Sequence, residues 1–114
     1  MWLFTMEKTL NTLQRIFEGF DVKLRKIHDR QFQVYKNNTR LFTVKIICGT
    51  CAQGIQSIQG IQFFITRNNI NYFRNNNILN FVSVYNACKL FLDMDLRVYE
   101  QAGNVNNDIT DDIK

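Results

Sequence analysis

The chain has 114 residues, 46% of them hydrophobic and 13% aromatic, with a formal charge of +4 at neutral pH. That length fits one domain around one core, and the apolar content excludes disorder for most of the chain. No stretch reaches the ~18 apolar residues of a membrane span, and Glu7 and Lys8 cut short the apolar run at residues 1–6, so no secretory signal is read.

The expectation is a soluble intracellular protein, cytoplasmic or nuclear, whose three cysteines stay reduced; an odd number makes no disulfide framework. Asn occurs fourteen times, Ile twelve times and Pro not at all, a bias that matches an A/T-rich coding genome such as that of a large DNA virus or a protozoan parasite. Many of these Asn residues are then filler with no site meaning.

Leu3, Met6, Leu10, Leu13 and Phe17 recur at spacings of three and four, which predicts a helix over residues 3–18 with its apolar stripe on one face. Gly19 follows the last periodic residue and is the expected left-handed cap.

Alternation of period two begins immediately afterwards. Phe20, Val22 and Leu24 point one way, and Asp21, Lys23 and Arg25 the other, with a slip at Lys26-Ile27 that marks a bulge or the strand end. His28-Asp29-Arg30 reads as a turn. Phe32 and Val34 then alternate with Gln31, Gln33 and Tyr35, and Asn37-Asn38 is a second turn, since Asn tolerates positive φ. Phe42, Val44, Ile46 and Cys48 alternate with Leu41, Thr43, Lys45 and Ile47 in a third strand. A loop is expected over residues 49–54, a fourth strand over residues 60–66, and an Asn-rich loop over residues 67–77 with one small packed element around Ile70, Tyr72 and Phe73.

Ile78, Phe81, Val82, Tyr85, Cys88, Phe91 and Leu92 form a helical stripe, capped by Asn77 and extended through Leu96 and Tyr99 to about residue 100. The predicted fold is α+β, order α-β-β-β-β-α: a two-layer sandwich of a mostly antiparallel sheet with terminal helices on one face. It occupies residues 1–103 and carries 13 basic against seven acidic residues. Residues 104–114 hold Asp108, Asp111 and Asp112 and read as a disordered acidic tail.

Seven of the fourteen basic residues fall within residues 23–45, opposed only by Asp29. By alternation the sheet face away from the helices mixes cations with amides and a ring. Cations neutralise phosphates and rings stack on bases, so this face is expected to contact a nucleic acid or another polyanion. The residues expected to carry it are Lys23, Arg25, Arg30, Tyr35, Arg40 and Lys45.

The alternative is a protein-interaction module or homodimer formed through the same face. Trp2, Phe4, Leu41, Ile47, Phe64, Ile70, Tyr72 and Phe73 have no assured place in a core built on two helices, and surplus apolar surface marks an interface. The order helix, three antiparallel strands, helix is also that of the double-stranded-RNA-binding domain. That family opens its last helix with a basic cluster, whereas residues 75–80 here read Asn-Asn-Asn-Ile-Leu-Asn with only Arg74 nearby, so the order carries no assignment.

Cys48-Gly49-Thr50-Cys51 has zinc-ligand spacing, but a structural site needs four ligands, and only His28 and Cys88 remain to complete it. The plainer reading makes Cys48 and Cys88 small core residues and Cys51 a loop thiol. His28 has no nucleophile to serve, and no paired carboxylates or phosphate-binding Gly loop are legible. No enzyme activity, cofactor or metal is expected.

Overall fold

The computed structural model describes residues 2–50, 54 and 56–101. Helix α1 (Trp2–Gly19) leads into strands β1 (Lys23–His28), β2 (Gln31–Lys36), β3 (Thr39–Thr50) and β4 (Gln56–Thr66). Helices α2 (Arg67–Asn75) and α3 (Phe81–Phe91) follow, then strand β5 (Asp95–Gln101). The strands form one sheet in sequence order, antiparallel from β1 to β4, with β5 parallel to β4. Among the described residues no helix is long and apolar enough to cross a membrane.

The α+β class agrees with the sequence pattern; the strand count and the C-terminal elements do not. Helix α1 buries Leu13 and Phe17 completely, as its periodicity requires. Its end is a Schellman motif: the Val22 amide donates to the Phe17 carbonyl at 3.1 Å, and the Asp21 amide to the Glu18 carbonyl at 3.0 Å. The left-handed residue is Asp21 (φ 59°), so Gly19 is an ordinary last helical residue and not the cap its position implied. Val22 and Phe17 are both buried, the apolar contact that usually accompanies this motif.

The meander follows the predicted alternation. Arg30 (φ 68°) and Asn37 (φ 56°) take the left-handed positions of the two hairpin turns. A bulge interrupts β1 between Lys26 and His28, where the alternation slips. A second register shift lies between Val34 and Tyr35, where Leu41 is the extra residue of β3. β3 continues to Thr50, into the predicted loop at residues 49–54, and β4 starts at Gln56, ahead of the expected start at Gly60.

The larger corrections come after β4. The Asn-rich stretch contains α2, a helix made from poor helix formers and held by tertiary contacts: the Thr66 hydroxyl accepts from the Asn69 amide at 3.0 Å, and Ile70 and Phe73 are buried. The cap of α3 is Asn80, whose side chain accepts from the Ser83 amide; Asn77 is left-handed (φ 56°) and lies outside the helix. Phe81, Val84 and Cys88 face the core, while Val82 and Phe91 are exposed, so the apolar stripe is narrower than its sequence spacing implied.

Helix α3 stops at Phe91, and the residues expected to prolong it form β5 instead. Leu96 and Val98 pack against the core, and the Tyr85 hydroxyl donates to the Leu96 carbonyl at 3.2 Å. Arg67 grips both carboxylate oxygens of Glu100 at 2.6 Å and ties the start of α2 to the end of β5. The predicted acidic tail lies outside the described residues.

Aromatic contacts locate the two layers. Phe42 meets Phe17 of α1 at 6.1 Å, Phe81 of α3 at 5.1 Å and Phe63 of β4 at 6.2 Å, and Phe63 also meets Tyr85 of α3 at 5.8 Å. Helices α1 and α3 therefore cover the face that carries Phe42 and Phe63, and neither lies over the opposite face.

Candidate nucleic-acid interface

Cross-strand register builds the opposite face, because residues paired directly across a ladder project to the same side. One row runs Lys23, Tyr35, Arg40. The next runs Arg25, Gln33, Thr43, Phe64, Tyr99 across all five strands. A third runs Gln31, Lys45, Gln62, Arg97. Five of the six expected site residues, Lys23, Arg25, Tyr35, Arg40 and Lys45, thus share this face.

Arg30 is the exception. It sits in the β1–β2 turn, half-buried, with its carbonyl accepting from the Ile46 amide at 2.7 Å, and no strand register directs it to that face. Two further cations of the cluster point elsewhere. Lys36 donates to the Ile78 carbonyl at 2.9 Å, and Lys26, opposite the core residue Phe32, lies 3.8 Å from Asp29.

Two groups of side chains organise the face around tyrosines. Near β1, the Tyr35 hydroxyl donates to Gln33 Oε1 at 2.6 Å, and the Arg25 guanidinium lies 5.9 Å from the Tyr35 ring centroid, within cation–π range. Near β5, the Tyr99 ring stacks on Phe64 with centroids 5.1 Å apart and planes at 15°, while Gln62 Nε2 donates to its hydroxyl at 3.4 Å. Arg97 Nε donates to Asp95 Oδ2 at 2.8 Å, and these bonds to Asp95 and then Tyr99 hold its guanidinium above the ordinary arginine value. These three rows hold no acid, and Asp95 stands one register step beyond the third, opposite Gly60.

The middle of the face is dry. Thr43 is 0% exposed, Phe64 7% and Gln33 9%. Both register neighbours of Thr43 are themselves engaged by a tyrosine, and the Thr43 hydroxyl has no hydrogen-bond partner among the described residues. Two rows beyond Thr43, past Lys45 and Gln62, Gly60 lines a depression of about 210 Å³ with Ile47, Gln62, Asp95 and Arg97. That is smaller than the ~300–1,000 Å³ pockets of small-molecule sites.

Sequence reading missed Arg97 and Tyr99 because it placed them on a helix. The available signal was Leu96 and Val98 alternating with Asp95, Arg97 and Tyr99, a half-buried strand pattern. Much of the apolar surplus expected for an interface is also absorbed: Leu41, Phe64, Ile70 and Phe73 are buried, Ile47 is half-buried, and Tyr72 is exposed. The side chains of Trp2 and Phe4 lie outside the described residues. Among the described residues the most exposed large apolar groups are instead Leu90 (77%) and Phe91 (65%), at the end of α3.

The described members of the cysteine and histidine set lie on different elements. Cys48 is on β3, Cys88 is buried on α3, His28 ends the edge strand β1, and Cys51 lies outside the described residues. Among the described residues no group of three or more His, Cys, Asp or Glu is placed to hold a metal.

Burial pushes the Cys88 thiol from 9.0 up to about 12. Below pH 9 the thiol is protonated in both the folded and the unfolded chain and contributes no pH dependence. As the pH rises from 9.0 toward about 12, the unfolded chain loses this proton first, so stability falls. Denaturation across that window should show a steeper loss for the native protein than for Cys88→Ala; parallel curves would refute this assignment.

No family model, curated protein or solved structure matches this chain.

Proposed function

We propose that this protein is a non-enzymatic binding protein whose sheet face opposite α1 and α3 contacts a nucleic acid or another polyanion. The observation that supports it is the register that aligns Lys23, Arg25, Arg40 and Lys45 on one side of the sheet, joined at the far edge by Arg97 with its own Asp95. Cations spaced over a surface raise the local anion concentration and release counterions from bound phosphates.

A salt series with single- and double-stranded DNA and RNA tests this reading. Log affinity should fall linearly with log salt, with a slope of about −0.7 to −0.9 per phosphate neutralised. Lys23 and Arg25 are exposed on an edge strand, so Lys23→Glu combined with Arg25→Glu should weaken binding several-fold and shift stability by no more than about 0.5 kcal/mol. An affinity unchanged between low and physiological salt would overturn the proposal. The competing reading, a protein partner or a second copy on this face, is read by light scattering on the same samples. A tight dimer without added nucleic acid supports it, and a monomer that grows only with oligonucleotide opposes it.

A further inference from the structure

We infer that the ligand of this face is an unpaired nucleic-acid strand, laid across the β-strands with one base on Tyr35 and another on Tyr99; this rests on the polyanion reading above. Charge alone does not distinguish a duplex from a single strand, since both present phosphates. The tyrosines do. A ring offers its π-face to a base, and in a duplex the faces of the bases are covered by their neighbours. Base reading in the major groove of a duplex instead calls for a helix or a two-stranded ribbon, and a five-stranded sheet is too broad to enter that groove.

Each tyrosine has the surroundings of a stacking platform. Tyr99 is 38% exposed on the edge strand β5; Phe64 supports one side of its ring, and among the described residues no strand lies beyond the other. A base stacked there extends the existing Phe64–Tyr99 pair. Tyr35 is half-buried, oriented by its bond to Gln33, with Arg25 near its ring and Lys23 and Arg40 paired beside it. Gln31 and Gln62 flank Lys45 in the row on the far side of Gln33 and Thr43. Their amides can pair with exposed base edges, and Lys45 meets the phosphates in between.

Geometry sets the footprint. Tyr35 and Tyr99 are three strand spacings apart with a stagger of one row, roughly 16 Å from the ~4.8 Å strand spacing and ~3.3 Å rise per residue. At a stacked rise of ~3.4 Å this corresponds to about five nucleotides, with fewer needed for an extended strand. Oligomers shorter than the gap engage only one ring.

The test is fluorescence anisotropy with labelled oligothymidylate and oligouridylate of roughly three, five and eight nucleotides, beside a duplex of matched phosphate count. Affinity should rise up to about five nucleotides and then level off, and the single strand should bind roughly tenfold tighter than the duplex. The DNA and RNA arms show whether the 2′-hydroxyl contributes. Tyr35→Ala and Tyr99→Ala should each lose about tenfold, with Tyr→Phe at either position retaining most of the affinity because the ring remains. The salt slope should stay unchanged in these variants.

Because Tyr99→Ala removes a packing partner of Phe64, photo-crosslinking of the native protein to a 5-iodouracil oligomer provides a second readout, expected at Tyr35 and Tyr99. Equal or tighter duplex binding, or crosslinks confined to the helices, would overturn the single-strand inference while leaving the polyanion reading standing. Failure of every nucleic acid to bind at low salt would overturn both.

Discussion

Phe42→Ala should lower the stability of this protein by about 3–5 kcal/mol. Phe42 is fully buried and in ring contact with α1, α3 and β4 at once, so its removal opens a cavity where three elements meet. A domain of this size typically has only about 5–15 kcal/mol in total, so the variant should be partly unfolded near physiological temperature. Chemical denaturation gives the loss directly. The contrast is Phe91→Ala: Phe91 belongs to the apolar stripe that the sequence predicts for the last helix but is 65% exposed, and its removal should change stability by no more than about 0.5 kcal/mol. Equal losses at the two positions would show that the observed rotation of α3 is wrong.

Gly60→Ala should cost about 1–3 kcal/mol, concentrated at the junction of β4 and β5. A Cβ at Gly60 would stand 2.6 Å from the Asp95 carbonyl oxygen and 3.3 Å from Asp95 Cβ. The obstacle is backbone of the adjacent parallel strand, so relief requires β5 to move away. That movement displaces Arg97 and Tyr99, and the variant should also lose affinity on the β5 side of the proposed interface. Gly19→Ala is the control: nothing lies within 4 Å of its added methyl, it is helical, and it should be neutral or stabilising by about 0.5–1 kcal/mol. Hydrogen exchange reads the local effect, with faster exchange expected in β5 than in β2. Native stability and native β5 protection in Gly60→Ala would refute the close-approach account.

How legible each part was in the sequence follows from the range of the interactions that form it. The β1–β3 meander is a local object: each strand buries one face, the period of two is unambiguous, and adjacent turns carry Arg30 and Asn37 at the left-handed positions. The placement of Lys23, Arg25, Tyr35 and Lys45 on one face follows from it. Residues 96–99 were ambiguous because a spacing of three between Leu96 and Tyr99 fits a helix, while the alternation of Leu96 and Val98 fits a strand. Parallel pairing with β4 resolves this, and that pairing spans more than thirty residues of sequence, from Gly60 to Asp95. Helix α2 was hidden for a related reason. Asn is a weak helix former, and only the burial of Ile70 and Phe73 with the Thr66 cap makes helix the favourable state there.

Sequence alone determined an α+β domain with an amphipathic first helix, a three-stranded meander and a cationic outer row, because period and turn chemistry act over a few neighbouring residues. Tertiary structure decided that the sheet has a fifth, parallel strand, and that Tyr99 and Arg97 complete the far side of the candidate interface. The physical reason is that a parallel edge strand acquires its hydrogen bonds and its buried face only from a partner distant in the chain, so its identity is a property of the assembled sheet.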